Sequence, residues 1–316
     1  MHEIRRLMVF IALVVGLVIL AVPAQAQLLH TWVASNGNDG SNCDRPTPCQ
    51  SFQVAYQHTA PGGEITCLDS GNFGGIAAGQ GLTMSITVNC EEAMAANGDP
   101  TFGWFSINTP AGSSVTLRGL QLDGTVAPTS GYNSIQFQGA GTLHLRKVRI
   151  HNNGVNGILF IPKGTAVLDV SDCDISDNGS SGNIAGIYVK PASGIVADIY
   201  INNSLINNNF FGIIADGSGG GIIGGVVRNS VVSGNKNTGI TTYSGGASVT
   251  LVVQNSSISG NGYGLAAAGP NAAMFVTRSG INYNGTGVFG PIYSYGDNSL
   301  LANGADGSFA GTIGPK

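Results

Sequence analysis

Aliphatic residues recur along the chain at intervals of about 26 positions, and a second aliphatic residue stands five positions before each of them. Apolar and polar residues alternate over these short segments, which is typical of strands buried on one face. The recurring pairs are Leu117 and Leu122, Leu145 and Ile150, Val170 and Ile175, Ile201 and Ile206, Val227 and Val232, Val253 and Ile258, and Val276 and Ile281.

An asparagine follows the later aliphatic residue by three positions in successive repeats, and a glycine with an aliphatic neighbour comes shortly after it. Asn and Gly both tolerate the left-handed backbone of tight turns. A unit of this length cannot bury its apolar face alone, whereas stacked units bury a continuous core. The pattern therefore predicts an all-β, single-stranded parallel β-helix of about nine to ten coils.

Stacking would place each repeated position about 4.8 Å above its counterpart in the preceding coil. The repeated asparagines would then form a structural ladder, in which each side-chain amide bonds its neighbours and each bond contributes about 1 kcal/mol. The alternative is that these asparagines merely mark loops, but the constant register argues against it. The predicted ladder residues are Asn153, Asn178, Asn209, Asn235, Asn261 and Asn284.

The composition agrees with a turn-rich β protein. Of 316 residues, 49 are Gly and 28 are Asn, and 9% are charged, against about 25% in an average soluble domain. A helical bundle would need far more Glu, Lys, Arg and Leu, and a hydrophobic content of 42% argues against disorder. A net charge of −4 without a basic run predicts no nucleic-acid partner.

The N-terminus has the pattern of a secretory signal. Arg5 and Arg6 precede an uncharged apolar run over 7–22, and a small-residue site ends at Ala26. The apolar run is shorter than the roughly 20 residues of a membrane span, although a retained anchor is the alternative. We expect cleavage near Ala26, no membrane span afterwards, and a protein that is secreted, periplasmic or bound at the cell surface.

Export permits disulfides. The four cysteines between positions 43 and 90 allow three pairings. We favour Cys43–Cys49, which closes a Pro-rich loop, and Cys67–Cys90, whose separation is close to one repeat. A metal site is the alternative, but there is no C-x-x-C pair and no suitably placed His. Cys173 falls on a predicted inward position and is expected to be a buried thiol.

The chain divides into four predicted segments. Residues 1–26 form the signal peptide, and 27–62 form an N-terminal cap with the Cys43–Cys49 loop and a short helix over 51–60, with Ser51 as N-cap. Residues 63–292 form the parallel β-helix, and 293–316 form a C-terminal cap. Caps are expected because an open solenoid end exposes unpaired strand edges.

Several stretches resemble one known group of proteins. They are TWVASNGNDGSNCDRPTPCQSF at 31–52, GGEITCLDSGNFG at 62–74, LRGLQLDG at 117–124 and SYGDN at 294–298. With the repeats, they resemble bacterial secreted right-handed parallel β-helix repeat proteins of the pectin-lyase-like superfamily. The resemblance implies a right-handed coil. The superfamily includes lyases, hydrolases, epimerases and adhesins that act on or bind polysaccharide, so the resemblance does not select an activity.

The superfamily's familiar enzyme signatures are missing from this sequence. It contains no Asn-Thr-Asp, Gly-His-Gly or Arg-Ile-Lys of polygalacturonase-like hydrolases, no Arg-x-Pro-x-x-Arg of pectate lyases, and no Asp-Pro-His-Asp of alginate epimerases. These absences argue against a familiar enzyme and leave a divergent one open.

Charge is concentrated in one part of the chain. Ten of the 30 charged residues lie between positions 118 and 177. In the repeat register four complementary pairs stack in neighbouring coils: Asp123 on His151, Arg149 on Asp174, Lys147 on Asp172, and His144 on Asp169. One interpretation is cross-strand pairing worth about 0.2–1 kcal/mol per pair. The other is a polar groove that contacts glycan.

In the catalytic form of that hypothesis, His151 oriented by Asp123 would take a proton, while Arg149 beside Asp174 would neutralise a carboxylate of an acidic glycan. Further ligand-binding candidates are Arg118, Arg146, Lys147 and Asp172.

The acidic run over 172–177 raises the question of Ca²⁺. It does not match a D-x-D-x-D-G loop, and Ile175 points inward, so no specific motif supports a Ca²⁺ site, and we expect no metal or other cofactor.

Aromatic residues near predicted turns are a second set of candidates: exposed ones could stack on sugar rings, whereas buried ones, the outcome expected for Phe, would fill corners of the core. They are Tyr132, Phe137, Tyr188, Phe210, Phe211, Tyr243 and Tyr263.

We therefore expect an exported β-helix protein that binds polysaccharide at the cell envelope or outside the cell. The alternatives are a polysaccharide lyase or hydrolase acting on an acidic glycan, and a structural or adhesive rod. The sequence predicts neither the glycan nor the oligomeric state.

Overall fold

A computed structural model describes residues 27–76, 81–93, 105–124 and 133–314. Within them the chain forms a parallel β-solenoid with one short helix, which confirms the predicted fold class. The predicted signal peptide and Tyr132 lie outside the described residues. No helix in the described ranges is long and apolar enough to cross a membrane.

The elements in chain order are β1 (Leu28–Val33), α1 (Phe52–His58), β2 (Thr59–Cys67), β3 (Ile86–Asn89), β4 (Phe105–Ile107), β5 (Ser114–Arg118), β6 (Gln121–Asp123), β7 (Ile135–Phe137), β8 (Gly141–Arg146), β9 (Arg149–His151), β10 (Ile158–Phe160), β11 (Ala166–Ser171), β12 (Asp174–Ser176), β13 (Ala185–Val189), β14 (Val196–Asn202), β15 (Leu205–Asn207), β16 (Phe211–Gly217), β17 (Ile222–Arg228), β18 (Val231–Ser233), β19 (Thr238–Ser244), β20 (Val249–Gln254), β21 (Ser257–Ser259), β22 (Tyr263–Ala268), β23 (Ala272–Thr277), β24 (Gly280–Asn282), β25 (Thr286–Phe289), β26 (Ile292–Ser294), β27 (Ser299–Leu301) and β28 (Gly311–Thr312).

The described strands build three parallel sheets. Sheet A has twelve strands in the order β1-β2-β3-β5-β8-β11-β14-β17-β20-β23-β26-β28. Sheet B runs β4-β7-β10-β13-β16-β19-β22-β25 and sheet C runs β6-β9-β12-β15-β18-β21-β24-β27, eight strands each. One coil contributes a strand to sheets A, C and B in turn. The solenoid has about eight coils rather than nine or ten, because sheets B and C have eight strands each and β1, β2, β3 and β28 of sheet A have no counterpart in sheet C among the described residues.

Strict register places like residues above one another. On β11, Leu168 pairs with Leu143 of β8 and with Ile199 of β14, and all three are fully buried. The residues between them point outward, as the two-residue period of a strand requires. A single apolar core therefore runs along the axis, and the outward positions form parallel columns on the surface.

The asparagine ladder is confirmed. The Nδ2 of each ladder Asn donates to the Oδ1 of the next, at 2.6 to 3.1 Å from Asn153 through to Asn284. The ladder continues one step further, because Asn284 donates to Asn303 at 3.0 Å. Asn303 follows Asn284 by only 19 residues, so a period of about 26 did not predict it.

Helix α1 caps the N-terminal end, as predicted. The Ser51 hydroxyl accepts a hydrogen bond from the backbone N–H of Val54 at 3.3 Å. Phe52 faces the core and packs edge-on against Phe73, with ring centroids 5.5 Å apart. The helix ends at His58, before the predicted position 60, because Thr59 already begins β2.

Both favoured disulfides are present, with Cα atoms 4.7 Å apart for Cys43–Cys49 and 4.8 Å apart for Cys67–Cys90. The second bond joins the ends of the neighbouring strands β2 and β3. Cys173 is a free and buried thiol. Burial raises the pKa of this thiol to about 12, which keeps it protonated and unreactive.

Candidate functional site

Each coil turns from sheet A to sheet C through a single residue in the left-handed region. Lys147 has a φ of 50°, Asp172 one of 57° and Asn203 one of 49°. Because each coil turns at the same position, these side chains form a column along the A–C edge. Arg146 ends β8 on one side of the turn and Arg149 begins β9 on the other.

We call the charged surface along this edge the charged corner. It consists of Glu91, Arg118, Arg146, Lys147, Arg149, Asp172 and Asp174.

The cations of the charged corner differ in how firmly they are paired. Arg146 donates to Asp169 at 2.6 Å, whereas the Arg149 Nε lies 4.0 Å from the Asp174 carboxylate. The Arg149 side chain is 65% exposed. Arg118 stacks on Arg146 in register, and its buried Nε has no hydrogen-bond partner among the described residues. Arg149 is therefore the cation most available to a ligand.

Lys147 does not make the predicted ion pair with Asp172. Its Nζ lies 3.7 Å from Glu91, two turns back along the edge. The turn between them is Gly119, which has no side chain and lets the lysine pass over it. Asp172 instead accepts a hydrogen bond from the Asn203 amide.

Two adjoining grooves follow the corner. The larger has a volume of about 520 Å³ and the smaller one of about 250 Å³. Lys147 and Arg149 line both, so they form one surface. The other residues of the larger groove are Asp172, Cys173, Asp174, Asn203, Ser204, Leu205, Asn229 and Val231. Those of the smaller one are Glu91, Gly119, Leu120 and Gln121.

The four predicted catalytic residues divide into two pairs. Arg149 and Asp174 line the groove, whereas His151 and Asp123 lie at the opposite end of their three-residue strands. The His151 Nδ1 is 3.8 Å from Asp123 Oδ1, and 2.9 Å from the amide nitrogen of Asn152. The register prediction for Asp123 on His151 is confirmed, but His151 does not line the groove.

A second imidazole, His144, also lies outside the groove lining, but it is held by a carboxylate that it shares with Arg146 of the charged corner. The His144 Nδ1 lies 3.0 Å from Asp169 Oδ2, which also accepts from Arg146. Ser171 donates to the other carboxylate oxygen at 3.3 Å. With the carboxylate as acceptor, Nδ1 is the donor, and Nε2 is left without this contact on the outer face of sheet A. The structure confirms the predicted stacking of His144 on Asp169.

One polar cluster on sheet B escaped the sequence analysis. Tyr188 donates to Asp216 at 2.8 Å and Lys190 does so at 2.9 Å, while Asp216 also accepts from the Ser218 backbone at 2.8 Å. Lys190 and Asp216 each stand four positions after an aligned glycine, Gly186 and Gly212. The repeat register therefore places Lys190 beside Asp216, although the pair lies outside the charge-rich stretch 118–177.

The pKa values in this cluster follow from burial and hydrogen bonding. Burial by itself raises the pKa of the Asp216 carboxyl, but hydrogen bonds from Ser218, Lys190 and Tyr188 outweigh it, so the pKa lies below its ordinary value. Burial first, and then the Asp216 carboxylate, raise the pKa of the Tyr188 phenol. The carboxylate is therefore an anion that fixes the turn after β16.

The described residues contain no group of three or more His, Cys, Asp and Glu side chains placed to hold a metal ion.

Comparison with a family model confirms the right-handed β-helix part of the predicted resemblance. The family model described as "Right handed beta helix region" matches residues 105–281. A search of curated proteins found no match to this sequence. Among solved structures, the chain is similar to a crystal structure of pectate lyase Pel9A, with a TM-score of 0.42 and 17% identity, over 87% of this chain and 71% of that chain.

Proposed function

Because this chain belongs to the family of right-handed β-helix proteins, we propose that it is an exported protein that binds an acidic polysaccharide along its charged corner. Parallel β-helices present long, regular surfaces, and an extended polymer suits such a surface. The N-terminal signal pattern and the two disulfides support export.

The observation that carries the proposal is the groove with two exposed cations. Lys147 and Arg149 are 64% and 65% exposed, and neither is within hydrogen-bonding distance of its acidic neighbour. A guanidinium binds a carboxylate through two parallel N–H donors. A uronate carboxylate therefore has a partner in Arg149, with Lys147 beside it.

The rest of the larger groove suits sugar hydroxyls. Asn203, Ser204 and Asn229 line it and offer both donors and acceptors. Leu205 and Val231 give it apolar surface for the C–H faces of a sugar ring. Charged, hydroxyl-bearing and apolar parts of an acidic sugar thus each find a complementary group.

The test is calorimetric titration with a uronate polymer and with a neutral polymer of similar length. We expect the uronate polymer to bind and the double variant Lys147→Ala/Arg149→Ala to weaken binding at least tenfold. The matched control is Arg278→Ala, because Arg278 occupies the same left-handed turn position in a distant coil. The control should bind within twofold of the wild type.

Two results would overturn the proposal. Equal binding of the neutral polymer would remove the role of charge, and unchanged binding by the double variant would move the site elsewhere. If no polymer tested binds, a structural or adhesive rod is the remaining function.

A second candidate function is cleavage of the bound acidic polymer, and the imidazole of His144 favours it. The Asp169 carboxylate accepts from Nδ1, so in the neutral imidazole Nε2 is the nitrogen that can take a proton. In a β-elimination Nε2 would take the proton next to the uronate carboxylate, a carbon–carbon double bond would form, and the glycosidic oxygen would leave with a proton returned by the imidazolium.

Ultraviolet absorbance of the unsaturated product tests this second function. We expect the wild type to produce it slowly and His144→Gln to abolish it while binding the polymer normally. His151→Gln is the matched control and should keep the wild-type rate. Absence of product from every bound polymer would exclude a lyase.

A further inference from the structure

The outer face of sheet A changes character halfway along the solenoid. In one column of register, the polar residues Thr116, His144 and Asp169 occupy successive coils. From β14 onwards the same column is apolar. Its residues are Tyr200, Val226, Val252, Phe275 and Tyr293. We call these five residues the apolar column.

The apolar column is a continuous surface feature. Its four steps of about 4.8 Å give a length of about 19 Å. Tyr200 is 46% exposed, and the other four residues are partly exposed. The rings of Phe275 and Tyr293 stack with centroids 5.4 Å apart. Contiguous exposed apolar surface of this kind is a candidate interaction site.

The two neighbouring columns restrict what the stripe can bind. On one side the register places polar side chains, with Arg228 and Gln254 beside Val226 and Val252. On the other side it places the small residues Gly224 and Thr250. The stripe is one residue wide, which is too narrow for the apolar core of a protein interface. An apolar strip with hydrogen-bonding groups along one edge matches a sugar chain, whose rings have a C–H face and hydroxyl edges.

The apolar column is also continuous with the charged corner. Tyr200 is the register partner of Asp169, which holds Arg146 and His144. The column runs parallel to the groove of the A–C edge, and Tyr200 stands three residues before the groove residue Asn203 on the same coil. A polymer that leaves the groove across β14 would meet the apolar column at Tyr200. No cation stands in the column itself, and Arg228 beside it already donates to Asn202 at 3.2 Å. The stripe therefore offers its apolar surface chiefly to uncharged sugars.

We infer that the apolar column is a second subsite, and that the ligand is a heteropolysaccharide with acidic sugars over the charged corner and neutral sugars over the apolar column. This inference rests on the proposed function, since it takes the charged corner as the acidic end of the same ligand. It adds the chemical class of the rest of the polymer.

The experiment compares three polymers of equal length: a polyuronate, a neutral polysaccharide, and a polymer that contains both uronate and neutral hexose. We expect the mixed polymer to bind the wild type at least tenfold more tightly than the polyuronate. The double variant Tyr200→Ala/Phe275→Ala should lose that advantage and keep the polyuronate affinity. Tyr283→Ala is the control, because Tyr283 is 73% exposed and lies outside sheet A.

The outcomes separate the two proposals. If the wild type does not bind the polyuronate, the proposed function itself is contradicted. Normal polyuronate binding with equal affinity for the mixed polymer, or a double variant that keeps the advantage, would overturn only the apolar subsite. Tyr200→Phe keeps the ring and should bind as the wild type, which separates lost contact from lost folding.

Sedimentation of the same variants tests whether a second copy of this chain, and not a sugar chain, covers the stripe. We expect the wild type and the double variant to sediment identically. A wild-type dimer that Tyr200→Ala/Phe275→Ala dissociates would assign the stripe to a second copy of this chain and overturn the inference.

Discussion

Each interior asparagine of the ladder uses its whole side chain. The Oδ1 of Asn235 accepts from both the backbone N–H and the Nδ2 of Asn209. Its own Nδ2 donates to Asn261 Oδ1 and to the backbone carbonyl of Ile206. Removing one amide therefore leaves the backbone N–H and one Nδ2 hydrogen of Asn209 without an acceptor, and removes one hydrogen bond each from Asn261 Oδ1 and the Ile206 carbonyl, in positions shielded from water.

Asn235→Leu should destabilise the protein by about 3 kcal/mol or more, because each buried polar atom left without a partner costs about 1–3 kcal/mol. Denaturant unfolding followed by circular dichroism measures this change. Asn303→Leu is the control. Asn303 ends the ladder and is partly exposed, so water can replace the lost bonds. Equal losses in the two variants would contradict a cooperative ladder.

The contribution of Asp216 to the stability of the fold should depend on pH. Its pKa is lowered in the folded protein, so the carboxylate stabilises the fold above the unfolded-state pKa of about 3.9. That contribution is lost as the pH falls through the lower, folded-state pKa. At pH 7 the free energy of unfolding of Asp216→Asn should be about 1–3 kcal/mol lower than that of the wild type.

Unfolding midpoints of Asp216→Asn and wild type, measured between pH 7 and pH 3, test this prediction. The two proteins should approach each other in stability at the acid end. A gap that stays constant across the range would show that the lost side chain, and not its charge, matters.

At the scale of elements, the sequence predicted which residues pair between neighbouring strands better than it predicted which side chains contact each other. The register of β8, β9, β11 and β12 followed from aliphatic spacing, because a slip of one residue would turn the core side chains outward. The partner of Lys147 did not follow, because it depends on the space above Gly119. The separation of His151 from the groove depends on which end of a three-residue strand faces the corner. Such details are set by the geometry of the turns, which cannot be predicted from the spacing of residues along the chain.

The two disulfides fasten elements of different span, and their removal should differ accordingly. Their sequence separations are 23 for Cys67–Cys90 and 6 for Cys43–Cys49. Chain-entropy loss in the unfolded state then gives about 3.5 kcal/mol for the longer loop and about 2.5 kcal/mol for the shorter.

The double variants Cys67→Ser/Cys90→Ser and Cys43→Ser/Cys49→Ser, compared by denaturant unfolding, measure these costs. The first should lose about 1 kcal/mol more than the second. The opposite order would mean that the Cys43–Cys49 loop stabilises the cap through its folded contacts with β1 and not through loop closure.

The whole molecule is a stack of coils, and its N-terminal end is covered more completely than its C-terminal end. At the N-terminal end the Cys43–Cys49 loop bonds the outer edge of β1, where the Trp32 N–H donates to Cys43 and Cys49 donates back to Trp32, at 2.8 and 2.9 Å. Helix α1 also packs on this end through Phe52. At the other end β27 and β28 are edge strands, and the residues around them are mostly exposed.

In a stack of coils each unit depends on its neighbours, so local opening should begin where the last coil is least covered. Hydrogen exchange read by mass spectrometry should therefore show fast exchange in β27 and β28, and slow exchange in the central strand β17. Peptides of β1 should be protected like β17, despite lying at an end, because the loop and α1 cover them. Exchange in β1 as fast as in β27 would show that the cap does not seal the N-terminal edge. Reduction of the disulfides should then abolish the difference between the two ends and leave β17 protected.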